Sequence, residues 1–180
     1  MQRSTDLDEV CYPFIHETSP LCDFEVITDE LCGNIGAVAS TLPATMTDLR
    51  ADLDTLQPLA FHLNGSIRGR LAVHEADLDW TKSRLAYYRD EAAGRADGFV
   101  LPRGDVPVPF LNLARSGAKK AIRQMVRIEE AGIEVPEVLP RFCNILCNLF
   151  FAMILVINQR RGATEVPFVS KSYGPRTRSD

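Results

Sequence analysis

Histidine and cysteine, the residue types that most often bind metals or act as nucleophiles, occur in this sequence without the spacing that either task needs. The histidines are His16, His62 and His74, and none has a carboxylate or cysteine at convincing ligand spacing. His74 and Glu75 are adjacent, so on a helix they point in different directions and cannot share a metal ion. No Gly-x-Ser-x-Gly motif and no Glu-x-x-His pair of a di-iron bundle is present. The spacing therefore predicts no metal site.

The cysteines and glycines exclude other common chemistry. An odd set of cysteines without a Cys-x-x-Cys pair predicts free structural thiols; they are Cys11, Cys22, Cys32, Cys143 and Cys147. Gly33 and Gly36 lie inside a helical pattern rather than after a strand, so they do not form a dinucleotide-binding motif.

Two asparagines interrupt the most apolar segment of the chain, residues 142–157. A membrane span needs about 20 apolar residues, and this run is shorter, so a buried helix of a bundle or oligomer is the better interpretation. An asparagine on such a helix is costly unless it is hydrogen-bonded. We therefore expect Asn144 to face a polar partner or a ligand pocket.

Apolar residues recur at helical spacing along most of the chain and predict an all-α domain of five helices. Thr28 is the expected N-cap of the first helix, because Asp29 and Glu30 follow it and oppose the helix dipole. Pro58 should kink the second helix, and Gly132 should end the fourth. The predicted helices cover roughly residues 28–43, 47–63, 71–88, 110–131 and 142–157. We expect residues 1–25 to form an irregular arm, 26–165 a single helical domain, and 166–180, including Tyr173, Gly174, Pro175 and Arg176, a mobile tail.

The overall charge limits the partners. The formal net charge is -4 over 180 residues, and nucleic-acid binding usually needs a basic surface. Asp6, Asp8 and Glu9 lie where a targeting peptide would be basic and then apolar. We therefore expect a cytoplasmic protein that binds neither nucleic acid nor membrane.

Four segments occur in an order and separation that carry further information. They are TDELC at 28–32 with IG at 35–36, EADLD at 75–79, FVLPRG at 99–104 followed by ARSGAKKAIR at 114–123, and CNILCNLF at 143–150. They resemble T-x-DELN…IG, E-x-x-[IL]-D, F-[IV]-L-P-G-G with AR-x-x-x-RRAER, and LNRLSDYLF of the PduO-type corrinoid adenosyltransferases. The resemblance covers roughly residues 25–160.

The resemblance implies a trimer of five-helix bundles of the cobalamin adenosyltransferase-like, ferritin-like type. In that family ATP–Mg²⁺ lies at a subunit interface, and the cobalt of a reduced cobalamin attacks the ribose 5′ carbon and expels triphosphate. Cations must neutralise the leaving group. By resemblance, the catalytic candidates are Lys119, Arg123 and Asp29, although Asp29 could instead cap a helix or form an intersubunit ion pair with Lys119. The ligand-binding candidates are Arg115, Lys120, Ile122, Asn144, Ile145, Asn148 and Phe99.

The chain departs from the family at several of these positions. The family's phosphate loop, T-x-T-G-D-x-G-x-T, has no counterpart, and residues 14–18 read Phe-Ile-His-Glu-Thr instead. Two arginines are replaced by Lys119 and Lys120, which lose the bidentate geometry of a guanidinium. Other polar family residues are replaced by Cys32, Ile122, Ile145 and Asn148. These changes predict a more apolar pocket with cations at its rim.

Three functions remain open on the sequence. The first is a repurposed family member that binds a small, partly apolar molecule at the subunit interface, with or without catalysis. The second is an ATP:cob(I)alamin adenosyltransferase that makes adenosylcobalamin. The third is a non-catalytic corrinoid carrier or a partner subunit of a true enzyme.

The resemblance and the apolar fifth helix together predict a homotrimer, because an apolar helix face left in water would promote association. Sedimentation velocity at micromolar concentration should therefore give the mass of three chains. A stable monomer at that concentration would contradict the prediction.

Overall fold

Five helices make up the bundle in the computed structural model, which describes residues 4–172. After a short 3₁₀ turn at Leu7–Glu9, the helices are α1 (Pro20–Thr41), α2 (Thr47–Gly65), α3 (Glu75–Glu91), α4 (Val108–Glu130) and α5 (Val138–Arg160). The described residues contain no strand, only one isolated antiparallel bridge between Val100 and Pro167. The predicted all-α class and the number of helices are confirmed.

The start of α1 corrects the sequence-based prediction. Ser19 is the N-cap: its hydroxyl accepts a hydrogen bond from the Leu21 amide, and Pro20 follows at a position where a missing amide proton costs little. Thr28 is buried inside the helix, where its hydroxyl donates to the carbonyl oxygen of Phe24 at 3.0 Å. Residues 20–25, expected in the irregular arm, therefore belong to α1.

The third and fifth helices begin about one turn away from their predicted starts. The third helix begins at Glu75 rather than Leu71, and the His74 amide donates to the Asp77 carboxylate at 2.8 Å. The fifth begins at Val138 and reaches Arg160. Pro58 lies inside α2, which continues through it. Gly132 ends the fourth helix as predicted, with a φ of 80° that favours glycine.

Packing follows the predicted apolar faces. Helix α1 packs against α2 and α4, and α5 packs against α3 and α4. Leucines on one face of α2 and alanines on one face of α4 are fully buried: Leu49, Leu53, Leu56 and Leu63, and Ala114, Ala118 and Ala121. By length and composition α5 could cross a membrane, but 61% of its most apolar window is buried inside the bundle. The fifth helix is thus a core helix, as predicted.

Part of the expected C-terminal tail is paired with the loop between α3 and α4. The Leu101 amide donates to the Val166 carbonyl at 2.9 Å, and the Phe168 amide donates to the Phe99 carbonyl at 2.8 Å. The side chain of Glu165 is buried and forms an ion pair with Arg95 at 2.7 Å. The prediction of a mobile tail at Tyr173–Arg176 falls outside the described residues.

A buried carboxylate ties α2 to α3. Asp52 Oδ2 accepts hydrogen bonds from Arg84 Nε and from the Tyr88 hydroxyl, each at 2.6 Å. Burial and the bond to Asp52 both raise the pKa of Tyr88. The phenol therefore stays neutral and continues to donate over the whole physiological pH range.

We expect Asp52→Ala to lower the free energy of unfolding by about 2–4 kcal/mol, because it leaves a buried hydroxyl and a half-buried guanidinium without their acceptor. Asp54→Ala is the matched control: it removes an exposed carboxylate from the same helix and should change stability by less than about 0.5 kcal/mol. Urea unfolding measures both. Equal stability of the two variants would contradict the assignment.

Candidate functional site

The site is built along the antiparallel seam between α1 and α4. Gly117 lies against Leu31, where an added Cβ would sit 3.4 Å from the Leu31 Cβ. Two turns further along α4, the Gln124 side-chain amide donates to the Pro20 carbonyl at 2.7 Å. Leu31 therefore lies against α4 near the middle of both helices, and Gln124 joins α4 to the first turn of α1, so the two helices are in contact at two points along the seam.

A groove of about 320 Å³ opens beside this seam. Lys119, Arg123 and Arg127 follow one another at four-residue spacing on α4, so they form a row on one side of the helix. The aliphatic stems of such long side chains can cover apolar surface while their charged ends stay in water. We call this feature the cationic groove; its lining residues are Ile27, Lys119, Lys120, Arg123, Gln124 and Arg127.

Few anionic groups balance these cations. Lys120 Nζ lies 3.3 Å from Glu30, but both side chains are about half exposed, so the pair contributes little stability. Arg127 donates to the Gln124 side-chain oxygen at 3.5 Å. Within residues 4–172, Lys119 and Arg123 make no ion pair. The groove therefore presents uncompensated positive charge in a chain whose net charge is negative, which favours an anionic ligand.

A second cavity of about 380 Å³ adjoins the first and shares Ile27, Gln124 and Arg127 with it. Residues Ile15 and Glu17 of the N-terminal arm form one of its walls. We call it the arm chamber; its remaining lining residues are Cys22, Asp23 and Val26 of α1. Burial, followed by the neighbouring carboxylates of Asp23, Glu25 and Glu17, raises the pKa of the Cys22 thiol.

The arm is held in place by Arg68, in the loop after α2. The Arg68 guanidinium donates to Glu25 at 2.6 Å and to Glu17 at 2.8 Å, and it lies 4.0 Å from the centre of the Phe14 ring. Tyr12 also donates to Glu25, whose side chain is only 3% exposed. Because Glu25 is buried and fully bonded, the cluster fixes the arm against the bundle.

The remaining candidates on α4 and α5 do not line either cavity. Ile122 and Ile145 are half-buried against the core. The Arg115 guanidinium lies 4.7 Å from the centre of the Phe151 ring, and its Nε is buried without a partner. Asn144 and Asn148 are exposed, and the Asn144 amide donates to the Pro140 carbonyl of its own helix at 2.9 Å. These residues follow the α4–α5 seam, on the other side of α4 from the α1–α4 seam.

Two further candidates stand apart. Asp29 is exposed on α1, where it makes no ion pair with any described residue, and Phe99 is 68% exposed in the loop after α3. The structure brings Lys119, Lys120 and Arg123 together and adds Arg127, which the sequence analysis missed. Its signal was available, since Arg127 is one helical turn beyond Arg123. Asp23 was missed because it was expected in the irregular arm.

The protein is thus an all-helical bundle with a groove lined by cationic side chains between its first and fourth helices. The chain matches the Cobalamin adenosyltransferase family over residues 15–157. It therefore belongs to the cobalamin adenosyltransferase family.

Individual relatives agree with this assignment. The chain is 29% identical to the corrinoid adenosyltransferase of Bacillus subtilis (strain 168) over 147 residues, covering 78% of this chain and 75% of the relative. Its fold is similar to a phenylalanine-substituted variant of the PduO-type ATP:corrinoid adenosyltransferase from Lactobacillus reuteri complexed with cobalamin and ATP. The TM-score there is 0.74, at 20% identity over 85% of this chain and 88% of the other. An arginine-to-lysine variant of that enzyme complexed with ATP gives 0.73 at 21% identity, over 84% and 89%.

Proteolysis and unfolding can test whether Arg68 holds the arm against the bundle. We expect Arg68→Met to speed chymotrypsin cleavage after Phe14 and to lower the free energy of unfolding by about 2–4 kcal/mol, since it leaves Glu25 buried without its cation. Arg70→Met removes an exposed arginine from the same loop and should behave like the parent. Arm cleavage at the parental rate in Arg68→Met would show that the arm does not depend on this residue.

Proposed function

We propose that this chain is a repurposed member of its family that binds a small, partly apolar molecule through an anionic group in the cationic groove. The observation that carries the proposal is the convergence of Lys119, Lys120, Arg123 and Arg127 on one groove whose inner wall includes Ile27. A few placed cations beside an apolar wall are typical of a site for such a ligand. In this proposal Lys119 and Arg123 hold the anionic group directly.

The arm supports a departure from adenosyl transfer. Residues 14–18 replace the phosphate loop that the family resemblance leads one to expect. Ile15 and Glu17 of this segment face the arm chamber. The side chain of Ile15 offers no hydrogen bond to a phosphate, and the carboxylate of Glu17 is an acceptor that pairs with Arg68 instead. Adenosyl transfer needs strong stabilisation of the leaving triphosphate, so we infer that the chain no longer performs it efficiently.

We further propose a cytoplasmic homotrimer with the ligand at the subunit interface. The α4–α5 seam supports this, because Ile122, Ile145 and Phe151 pack on the core but stay partly exposed along it. A second copy packed on that seam would bury these side chains. The roles predicted for Arg115, Ile122, Asn144, Ile145, Asn148, Phe99 and Asp29 depend on such a copy closing over them.

The second candidate function is ATP:corrinoid adenosyltransfer, which family membership and the names of the relatives favour. The cations of the groove fit a triphosphate, and cobalamin and ATP–Mg²⁺ would then be the substrates. The described residues offer no group of three or more histidine, cysteine or carboxylate side chains for a metal ion, so Mg²⁺ would arrive with the nucleotide. The third candidate, a corrinoid carrier or partner subunit, would bind cobalamin without turnover.

Calorimetric titration with n-hexyl phosphate tests the proposed groove. We expect Lys119→Ala and Arg123→Ala each to weaken binding about 5- to 30-fold, because a charge-assisted hydrogen bond contributes about 1–2 kcal/mol. Lys82→Ala, which removes an exposed lysine from α3, is the control and should bind like the parent. Sedimentation of each variant verifies that assembly is unchanged.

Two outcomes would reject the proposal. If Lys119→Ala and Arg123→Ala bind like the parent while the assembly stays intact, the groove is not the site. If the parent binds ATP–Mg²⁺ with a low-micromolar dissociation constant and cob(I)alamin is converted to adenosylcobalamin, the second candidate function is correct. We expect ATP–Mg²⁺ to bind weakly or not at all.

A further inference from the structure

The two cavities beside α1 adjoin each other, and the residues that line only one of them differ in charge. Ile27, Gln124 and Arg127 line both the cationic groove and the arm chamber, so the two cavities meet at these residues. Lys119, Lys120 and Arg123 line the groove alone. Asp23 and Glu17 line the chamber alone. A molecule lying in the groove would therefore meet cations first and carboxylates further along.

The carboxylates of the chamber differ in how far they are already neutralised. Glu17 accepts from Arg68 at 2.8 and 3.3 Å, so much of its charge is compensated. Asp23 lies in the first turn of α1, is exposed, and makes no ion pair within the described part of the chain. The thiol of Cys22 is buried beside Asp23 in the same chamber. Of the carboxylates that line the chamber, Asp23 is thus the one without an ion-pair partner in the described part of the chain.

Between the charged ends the lining is apolar. Ile15, Val26 and Ile27 lie on the side of the arm and α1, and the thiol of Cys22 is buried beside them. A short hydrocarbon body would cover these side chains and remove their surface from water. An isolated anion or an isolated cation would satisfy only one end.

We propose that the ligand is a zwitterion: an anionic group in the cationic groove, a short apolar body along Ile27, and an ammonium group at Asp23 in the arm chamber. This rests on the proposed function, since it assumes that the groove takes the anionic end. It assigns Asp23 and the arm a part in selecting the ligand. The Arg68 cluster then contributes to ligand recognition, because it keeps Ile15 and Glu17 at the wall of the arm chamber.

The experiment compares two homologous series of probes, n-alkyl phosphates and ω-aminoalkyl phosphates with two to eight methylene groups, by calorimetry on the full chain. At the chain length that spans the two ends, the amino compound should bind about three- to tenfold more tightly than the alkyl compound, as expected for one partly exposed ion pair. Asp23→Asn should abolish that preference and leave the affinity for the alkyl phosphates unchanged. Asp79→Asn, on the exposed face of α3, should keep the preference.

The outcomes separate this inference from the function on which it rests. If alkyl phosphates bind, Arg123→Ala weakens them, and no amino compound is preferred at any length, the groove stands and the zwitterion is rejected. If the preference persists in Asp23→Asn, the ammonium group lies elsewhere and the assignment is wrong. If neither series binds the parent, both proposals fail.

Discussion

The close approach of α1 and α4 is the constraint on which the rest of the site depends. Leu31 of α1 lies against Gly117 of α4, at ordinary van der Waals distance from the position that a Cβ would take. The buried alanines of α4 have the same effect on the core side, since small residues let helices approach. Lys120 on α4 lies 3.3 Å from Glu30 on α1, so the cations of α4 lie within reach of the outward residues of α1.

The arm adds a second constraint that is mainly electrostatic. Glu25 is a charged residue buried at the base of α1, and such a group is tolerated only when its partners are complete. Arg68, Tyr12 and the Asn64 amide, which donates to the Glu25 backbone carbonyl at 2.7 Å, complete the hydrogen bonding around it. In this position Arg68 also forms an ion pair with Glu17 and contacts the Phe14 ring. The chamber wall is thus a consequence of compensating one buried charge.

Family membership and the site point to related but different conclusions. The chain matches the family over residues 15–157, and its relatives have names that describe corrinoid adenosyltransfer. The groove on α4 is lined by four cationic side chains. The arm, however, brings a carboxylate and an apolar side chain to the neighbouring cavity. The cationic groove and the arm chamber therefore lie side by side on a fold that the family shares.

The sequence by itself determined the five helices, their buried faces and the cationic segment of α4, because these depend on local periodicity and on residue type. It misjudged the start of α1, where Pro13 and Pro20 suggested an irregular arm although Ser19 and Pro20 form a good helix start. Only the tertiary structure decided which cations share a cavity, that Ile122 and Ile145 pack on the core instead of lining it, and that Asp23 faces the arm. These facts depend on distances between segments far apart in the chain, and periodicity within one helix carries no information about them.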